Sequence, residues 1–268
     1  MRAWTLGSGS RGNAILLESD GTRVLVDAGY PPRVLARRLA AARVAAESIA
    51  AVIVTHEHID HARGVAAAQR KWKWKVFGSA GTLRGIPGLD PRGASAVEPG
   101  VRFAVGALTL ELVGVPHDAA APTAVLATST RSGFRAGCAH DLGSVPDALR
   151  RAFTRLDLLL LESNHDEGML RTGPYPEFLK ARIAGRNGHL SNRQSSSLAR
   201  ALAGGTLRQL VLLHLSEVNN TPRAATVAAT AALVGGRISC SVAAAMQDRV
   251  AGPFGSARRA AVQLALAL

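Results

Sequence analysis

The 268-residue chain has few cysteines, few aromatic residues and no long apolar run. Cys138 and Cys240 are too few for a disulfide framework, and we expect each to be a small buried hydrophobe. A membrane-spanning helix needs about eighteen or more consecutive apolar residues, and none is present, so we expect no transmembrane segment. The N-terminal stretch MRAWTLGSGSRGN lacks the apolar core of a signal peptide, and we expect a cytoplasmic protein.

Acidic residues are also scarce. The chain has 19 against 32 lysines and arginines, for a formal net charge of +13. None lies between Asp60 and Asp90, a gap that contains the segment RKWKWK at 70–75. Cations neutralise phosphates and indole rings stack on unpaired bases, so this segment favours a nucleic-acid partner. The same alternation also fits a strand with Trp72 and Trp74 facing inward, and a compositional bias toward arginine would also give a basic chain.

The apolar pattern predicts one layered α/β domain over residues 1–268, with sheets inside and helices outside. Residues 78–100 are mostly loop, and the tail from about Gly252 is expected to be loosely held. Strands are predicted at 3–6, 14–18, 23–27, 50–55, 101–115, 123–130, 133–137, 156–162, 209–214 and 237–242. Helices are predicted at 31–46, 62–71, 146–154, 191–204 and 221–233.

The stretch VTHEHIDH at 54–61 concentrates metal-binding side chains between a predicted strand and a predicted helix. Residues two apart do not share a helix face, so His56 and His58 suit a loop that turns its side chains toward one point. Imidazole and carboxylate ligands suit Zn²⁺, Mn²⁺ or iron. With Asp60 and His61, the stretch offers more ligands than one open tetrahedral site uses. This surplus indicates two adjacent ions.

The remaining histidines all follow strand-like runs or lie in turns of small polar residues. A single histidine at a strand end is usually structural, but the joint pattern favours a shared site. These histidines are His117, His140, His165, His189 and His214. An aspartate, Asp141, directly follows His140.

The series His56, His58, Asp60, His61, followed in order by His117, Asp141 and His214, resembles the metallo-β-lactamase superfamily. The resemblance implies a four-layer αβ/βα sandwich. It implies that His56, His58 and His117 hold one metal ion and that Asp60, His61 and His214 hold a second. Asp141 would bridge the two ions.

The flanking motifs resemble the YycJ/WalJ group of that superfamily, which comprises small bacterial metallo-hydrolases regarded as 5′-to-3′ DNA exonucleases. The motifs are SGSRGN, LVDAG, THEHIDH, PHDA, ESNHD, GHLSN and HLSEVNN. One position departs from the group: His140 stands where threonine or serine is expected. It is predicted either to contact the ligands from outside or to act as an alternative ligand.

Two such ions, Zn²⁺ or Mn²⁺, can hold a bridging hydroxide that attacks phosphorus. Asp60 would then act in catalysis as a ligand of one of the two ions. The resemblance also suggests that Glu162 and His189 form the pair that protonates the leaving group, although His189 fits equally as a cap for the helix near Ser191. Asp27 in LVDAG is expected to orient a ligand histidine, or else to be an ordinary turn aspartate.

The SGSRGN turn offers Ser8, Ser10 and Asn13 as a cradle for a substrate phosphate, and Asn192 in GHLSN offers a further polar contact. All four also fit ordinary turns. The predicted partner is DNA, with no membrane and with a monomer and a homodimer both open. The alternatives are a small-ester metallo-hydrolase, acting on a thioester, lactone or cyclic phosphodiester, and an RNA-directed nuclease. The short interval from Asp141 to His214 leaves no room for the large domain inserted in the RNA-processing branch.

Overall fold

The computed structural model describes residues 1–255, which form two facing seven-stranded mixed sheets with helices on both outer faces. This arrangement confirms the predicted four-layer αβ/βα sandwich. The first sheet, in the spatial order β14-β1-β2-β3-β4-β5-β6, consists of β1 Arg2–Gly7, β2 Ala14–Ser19, β3 Thr22–Val26, β4 Ala51–Ile53, β5 Lys75–Gly78, β6 Ala94–Ala96 and β14 Ala251–Gly255.

The second sheet has the order β13-β12-β11-β10-β9-β8-β7. Its strands are β7 Arg102–Val105, β8 Leu108–Gly114, β9 Thr123–Ser129, β10 Arg135–Ala139, β11 Leu158–Glu162, β12 Gln209–Leu213 and β13 Ser241–Ala244. The helices are α1 Pro32–Ala41, α2 Ile59–Ala62, α3 Val65–Trp72, α4 Ala80–Arg84, α5 Asp147–Ala152, α6 Glu167–Thr172, α7 Glu177–Ile183, α8 Asn192–Leu202 and α9 Pro222–Gly235. None of the described helices is long and apolar enough to cross a membrane.

The central strands are apolar on both faces because each lies between a helix layer and the opposite sheet. In β11, Leu158 and Leu160 face the core between the sheets, whereas Leu159 and Leu161 face the core under α5, α8 and α9. A third core joins the first sheet to α1 and α3. Cys138 is buried between the sheets as predicted, and Cys240 is only half-buried.

Several predicted elements differ from the structure. The single strand predicted at 101–115 is a hairpin of β7 and β8, because Gly106 takes a left-handed φ of 52° in a two-residue turn. The helix predicted at 31–46 ends at Ala41, and Ala46–Ser48 form a separate 3₁₀ turn. Helices α6 and α7 were not predicted, because each is short and they are separated by a glycine and two prolines.

The interpretation of Trp72 and Trp74 as the inward face of a strand is wrong. Helix α3 ends at Trp72, Lys73 takes a left-handed φ of 57°, and β5 begins only at Lys75. The Trp74 side chain is 1% exposed, and its Nε1 donates to the Ala46 carbonyl at 2.9 Å. The two indoles stack on each other with centroids 4.7 Å apart, so Trp74 offers no face to a base.

The C-terminal tail also differs from expectation in its first part. Residues Ala251–Gly255 pair with β1 as the edge strand of the first sheet, where a loosely held tail was predicted. The rest of that tail, 256–268, lies outside the described residues.

Candidate metal centre

The site residues lie at one edge of the sandwich, where the parallel strands β3 and β4 of the first sheet and β10, β11 and β12 of the second have their carboxyl ends. Asp27 follows β3, and His56 lies three residues beyond β4. In the second sheet, Asp141 follows β10, Glu162 ends β11 and His214 follows β12. Carboxyl ends of neighbouring strands commonly build the site in α/β folds. The order of the strands therefore collects residues that are far apart in sequence.

Three of these residues have left-handed backbones, which non-glycine residues rarely adopt. The φ angles are 62° at Asp27, 56° at Asp141 and 53° at His214. Such a conformation costs on the order of 1–3 kcal/mol and persists where the surroundings fix it, often at functional sites. Aspartate and histidine are among the residues that tolerate it best. At each strand end, the turn directs a polar side chain into the site.

The predicted ligands form two sets that meet at Asp141. Ligand atoms within each set lie within 4.8 Å of one another. The first set is His56, His58 and His117, and the second is Asp60, His61, Asp141 and His214. Asp141 Oδ2 lies 3.2 Å from His56 Nε2 and 2.8 Å from His61 Nε2. The structure thus brings together all seven predicted ligands, with Asp141 between the two sets.

Hydrogen bonds on Nδ1 direct the Nε2 atoms of three ligand histidines toward the centre. His61 Nδ1 donates to Asp27 Oδ2 at 2.7 Å, and His117 Nδ1 donates to the Gly188 carbonyl at 3.1 Å. His56 Nδ1 lies 3.1 Å from Thr55 Oγ1, which itself donates to Asp27 Oδ2 at 2.8 Å. An outer partner of this kind fixes the imidazole tautomer and ring orientation.

The residues present fit bound divalent cations. Asp27, Asp141 and Glu162 are at most 2% exposed and lie with Asp60 in one acidic cluster, which needs cationic compensation. His214 Nε2 is buried without a hydrogen-bond partner. Burial and the neighbouring His61 lower the pKa of His56 to about 3, so its imidazole is neutral, as a metal ligand must be.

The carboxylates of the second set are held in their charged form. Burial raises the pKa of Asp141, but His214 and His61 outweigh it and hold that pKa well below its usual range. Burial also raises the pKa of Asp60, and His61 again outweighs it. Both carboxylates are therefore ready to bind a cation.

Asp27 is fully buried and contacts the ligands from outside. Besides His61, it accepts hydrogen bonds from Thr55 N and Thr55 Oγ1, both at 2.8 Å. His140 Nε2 lies 3.2 Å from Asp27 Oδ2, and His140 groups with Asp27 and His61 rather than with the two ligand sets. Gly29, two residues after Asp27, leaves room for the ligand loop, because a Cβ there would lie 1.7 Å from the Asp60 carbonyl oxygen.

Glu162 and His189 form a close pair at the same centre. His189 Nδ1 lies 2.6 Å from Glu162 Oε1, while Glu162 Oε2 accepts the backbone N–H groups of Leu142 at 2.7 Å and Leu190 at 3.1 Å. Burial lowers the pKa of His189, but the Glu162 carboxylate outweighs it and raises the pKa to about 9. His189 is not a helix cap, because Ser191 caps α8 through a capping box with Gln194.

A cavity of about 240 Å³ opens onto both ligand sets and onto His189. Its lining includes Ser10, His58, Asp60, His117, Asp118, Asp141, Leu179, Arg182, Ile183, Asn187, Gly188, His189 and His214. Ligands from both sets therefore face the same accessible space as the Glu162–His189 pair.

The SGSRGN turn holds the ligands, and only one of its predicted substrate contacts reaches the cavity. Ser8 Oγ accepts the backbone N–H of His214 at 2.9 Å, and Asn13 Nδ2 donates to Asp60 Oδ2 at 3.2 Å. Both side chains are buried, which corrects the prediction that they contact substrate. Ser10 is exposed and lines the cavity.

Asn192 also has a different place from the one predicted. The residue is 4% exposed, and its side-chain amide hydrogen-bonds to Ser163 Oγ at 2.6 Å and to Asn220 at 2.9 Å. Asn220 in turn donates to the carbonyls of Ser163 and Asn164. This network ties the ESNHD, GHLSN and HLSEVNN turns together, because Asn164 Nδ2 donates to the His214 carbonyl at 3.0 Å.

Sequence reasoning missed three contributors to the site. Glu57, which is not among the predicted site residues, accepts the Ala120 N–H at 2.7 Å and so ties the loop after His117 to the ligand loop. Asp118 and Arg182 form an ion pair at the cavity. PHD at 116–118 gave a weak signal for Asp118, whereas nothing in the sequence distinguishes Arg182 from the other arginines.

Comparison with known proteins agrees with this geometry. Residues 22–215 match the family described as the beta-lactamase superfamily domain. The chain is 32% identical to the exodeoxyribonuclease WalJ of Streptococcus pneumoniae over 221 residues, which cover 80% of this chain and 81% of that protein. It is 29% identical to the exodeoxyribonuclease YycJ of Bacillus anthracis, covering 80% and 82% of the two chains.

The fold is shared with a solved structure of lower sequence identity. The metallo-β-lactamase fold protein YhfI from Bacillus subtilis superposes with a TM-score of 0.72 at 19% identity. The superposition covers 94% of this chain and all of YhfI.

Proposed function

Because the chain belongs to the metallo-β-lactamase superfamily, and within it to the group of the WalJ and YycJ relatives, we propose that this metal-dependent hydrolase is a DNA exonuclease that works from the 5′ end. The observation that carries the proposal is the 2.6 Å Glu162–His189 contact. His189 lines the cavity that both ligand sets face, and an imidazole held by a carboxylate is suited to donate a proton. A phosphodiester needs both cationic compensation and a proton for its leaving alkoxide.

The residues that would hold the ions are the two sets meeting at Asp141. We propose Zn²⁺ or Mn²⁺, with His56, His58 and His117 around one ion and Asp60, His61 and His214 around the other. When bound, such a pair supplies an activated water molecule and neutralises the phosphate. The chain itself supplies the orientation, since Asp27 fixes His61 and Gly188 fixes His117.

His189 is the proposed proton donor. Its Nδ1 is taken by Glu162, so its Nε2 is the nitrogen left to meet the leaving oxygen. Glu162 is held by two backbone N–H groups and is fully buried, so it maintains the orientation of the imidazole. We therefore propose that Glu162 positions the His189 imidazole and that His189 protonates the leaving oxygen.

A nucleic-acid substrate is favoured by two independent observations, and one of them favours DNA. The net charge of +13 favours a polyanionic partner, and the WalJ and YycJ relatives are both named exodeoxyribonucleases. Charge alone does not separate DNA from RNA, so the choice of DNA rests on the relatives.

The test gives the purified protein, with Mn²⁺ or Zn²⁺, DNA and RNA strands labelled at the 5′ or the 3′ end. The expected result is immediate release of the 5′ label as mononucleotide, with the 3′-labelled DNA shortened stepwise. Protein carrying Asp60→Ala and His61→Ala is the control and should be inactive. Faster cleavage of RNA than of DNA would identify RNA as the substrate. Ester hydrolysis without nucleic-acid cleavage would reject the nuclease function.

A further inference from the structure

Arg182 lines the cavity and forms an ion pair whose two partners belong to neither ligand set. Its Nε and Nη2 donate to Asp118 Oδ2 at 3.1 and 2.6 Å. Asp118 is the residue directly after the ligand His117, and both members of the pair line the cavity. The guanidinium is therefore anchored beside the metal centre while its side chain stays 66% exposed.

The ion pair leaves hydrogen-bonding capacity on the arginine. A guanidinium carries N–H groups on Nε, Nη1 and Nη2, and Asp118 takes only the Nε–H and one from Nη2. An exposed ion pair adds little stability by itself. The physical effect of the ion pair is to restrict the rotamers of the Arg182 side chain and to orient its remaining N–H groups. Less conformational entropy is then lost when those groups bind a ligand.

The helix that carries Arg182 is part of the cavity wall. Leu179 and Ile183 of α7 also line the cavity, and Gly188 and His189 follow the helix. Arg182 and His189 therefore line the same cavity. Among the residues that line the described cavity, Arg182 is the only lysine or arginine.

We propose that Arg182 binds a phosphate of the substrate strand next to the scissile phosphodiester, and that Asp118 is the positioning residue that holds Arg182 for this contact. Guanidinium groups recognise phosphate oxygens through paired N–H donors. The scissile phosphate belongs over the buried ligands, so the exposed Arg182 meets a neighbouring phosphate. This inference rests on the proposed function, because it names the part of a nucleic-acid strand that the site recognises.

The test compares two substrates for Arg182→Ala. One is a single-stranded DNA oligonucleotide, and the other is thymidine 5′-monophosphate p-nitrophenyl ester, which has one phosphate and no neighbour. Loss of a charge-assisted hydrogen bond should lower kcat/KM on the oligonucleotide by about 10- to 100-fold, mainly through KM. The loss on the ester should be much smaller, and Arg182→Lys should recover part of the oligonucleotide activity.

Two further variants separate positioning from charge. Asp118→Ala should raise the oligonucleotide KM, and the double variant Arg182→Ala/Asp118→Ala should be no worse than Arg182→Ala alone. Arg131→Ala is the matched control. Arg131 lies in the β9–β10 turn, at the strand ends opposite the site, and is an exposed arginine paired with Asp20. The variant removes the same charge and should leave both substrates unaffected.

Binding of the labelled oligonucleotide, followed by fluorescence anisotropy, distinguishes this inference from the proposed function. Wild-type protein that binds the strand without cutting it would reject the nuclease function, while tenfold weaker binding by Arg182→Ala would still support the phosphate contact. Equal oligonucleotide binding and turnover by wild type and Arg182→Ala would overturn the inference. Equal losses on both substrates would also overturn it.

Discussion

His189 Nδ1 and Glu162 Oε1 lie 2.6 Å apart, and Glu162 is itself fixed by the backbone N–H groups of Leu142 and Leu190. The pair joins the loop after β10, the end of β11 and the turn before α8. The pair lies beside both ligand sets and could either transfer a proton or take part in metal binding. The two roles can be tested with different variants.

His189→Ala should retain bound metal and lose about 10²- to 10⁴-fold in kcat on DNA, because the leaving alkoxide then lacks its acid. The loss should be far smaller on thymidine 5′-monophosphate p-nitrophenyl ester, since p-nitrophenolate leaves without a proton. Single-turnover rates on the two substrates measure the difference. Equal losses on both would contradict proton donation and indicate a general defect of the site.

Asp27→Asn should weaken metal binding by about 10- to 100-fold, because Asp27 orients His61 and also contacts Thr55 and His140. Asparagine tolerates the left-handed backbone, so the substitution removes charge without adding strain. Metal content after dialysis against graded chelator is the measurement. Asp20→Asn is the matched control, as Asp20 is also left-handed, with φ 47°, but lies in the β2–β3 turn. Equal metal retention by both variants would exclude this role.

Glu57→Ala should weaken metal binding about 10-fold, because it removes the acceptor that ties the Ala120 N–H to the ligand loop. Glu57→Gln keeps an acceptor oxygen and should keep most of the affinity. Ile59→Ala is the control, because Ile59 lies between the ligands His58 and Asp60 and its side chain is 65% exposed. This variant should leave the metal affinity unchanged. If Glu57→Ala binds metal as the wild type does, Glu57 is only a spacer.

Trp74→Ala should destabilise the protein by about 3–5 kcal/mol, because it empties a buried indole site and leaves the Ala46 carbonyl without its partner. Trp72→Ala should cost less, since Trp72 is half-buried. Urea unfolding measures both free energies. Trp74→Ala of unchanged stability but weakened DNA binding would restore the base-stacking interpretation of this segment.

The layered fold and the ligands follow from the sequence because local signals and a family motif agree. Strands such as LLLLE at 158–162 are apolar on both faces, which only a strand buried on both faces explains. The seven ligands came from the motif and its order, and the strand order then brought them together. Spacing alone could not have assigned Asp141 to the centre of two sets.

The errors arise where tertiary contacts decide the role of a polar residue. Ser8, Asn13 and Asn192 have residue types suited to substrate contact, but their partners are the distant His214, Asp60 and Asn220. Arg182 was not predicted as a site residue, because in the sequence it resembles every other arginine of this basic chain. Only the packing of α7 brings it to Asp118. Pairings over such separations leave no local signal in one sequence.

The most direct test measures bound divalent metal and single-turnover DNA cleavage in the same samples. We expect two ions per chain in the wild type, one for each ligand set, and cleavage that disappears with chelator and returns with Mn²⁺ or Zn²⁺. His58→Ala and His214→Ala, one from each set, should each lower both the metal content and the rate. Undiminished DNA cleavage by metal-free protein, or a wild type that binds no divalent metal, would contradict the account.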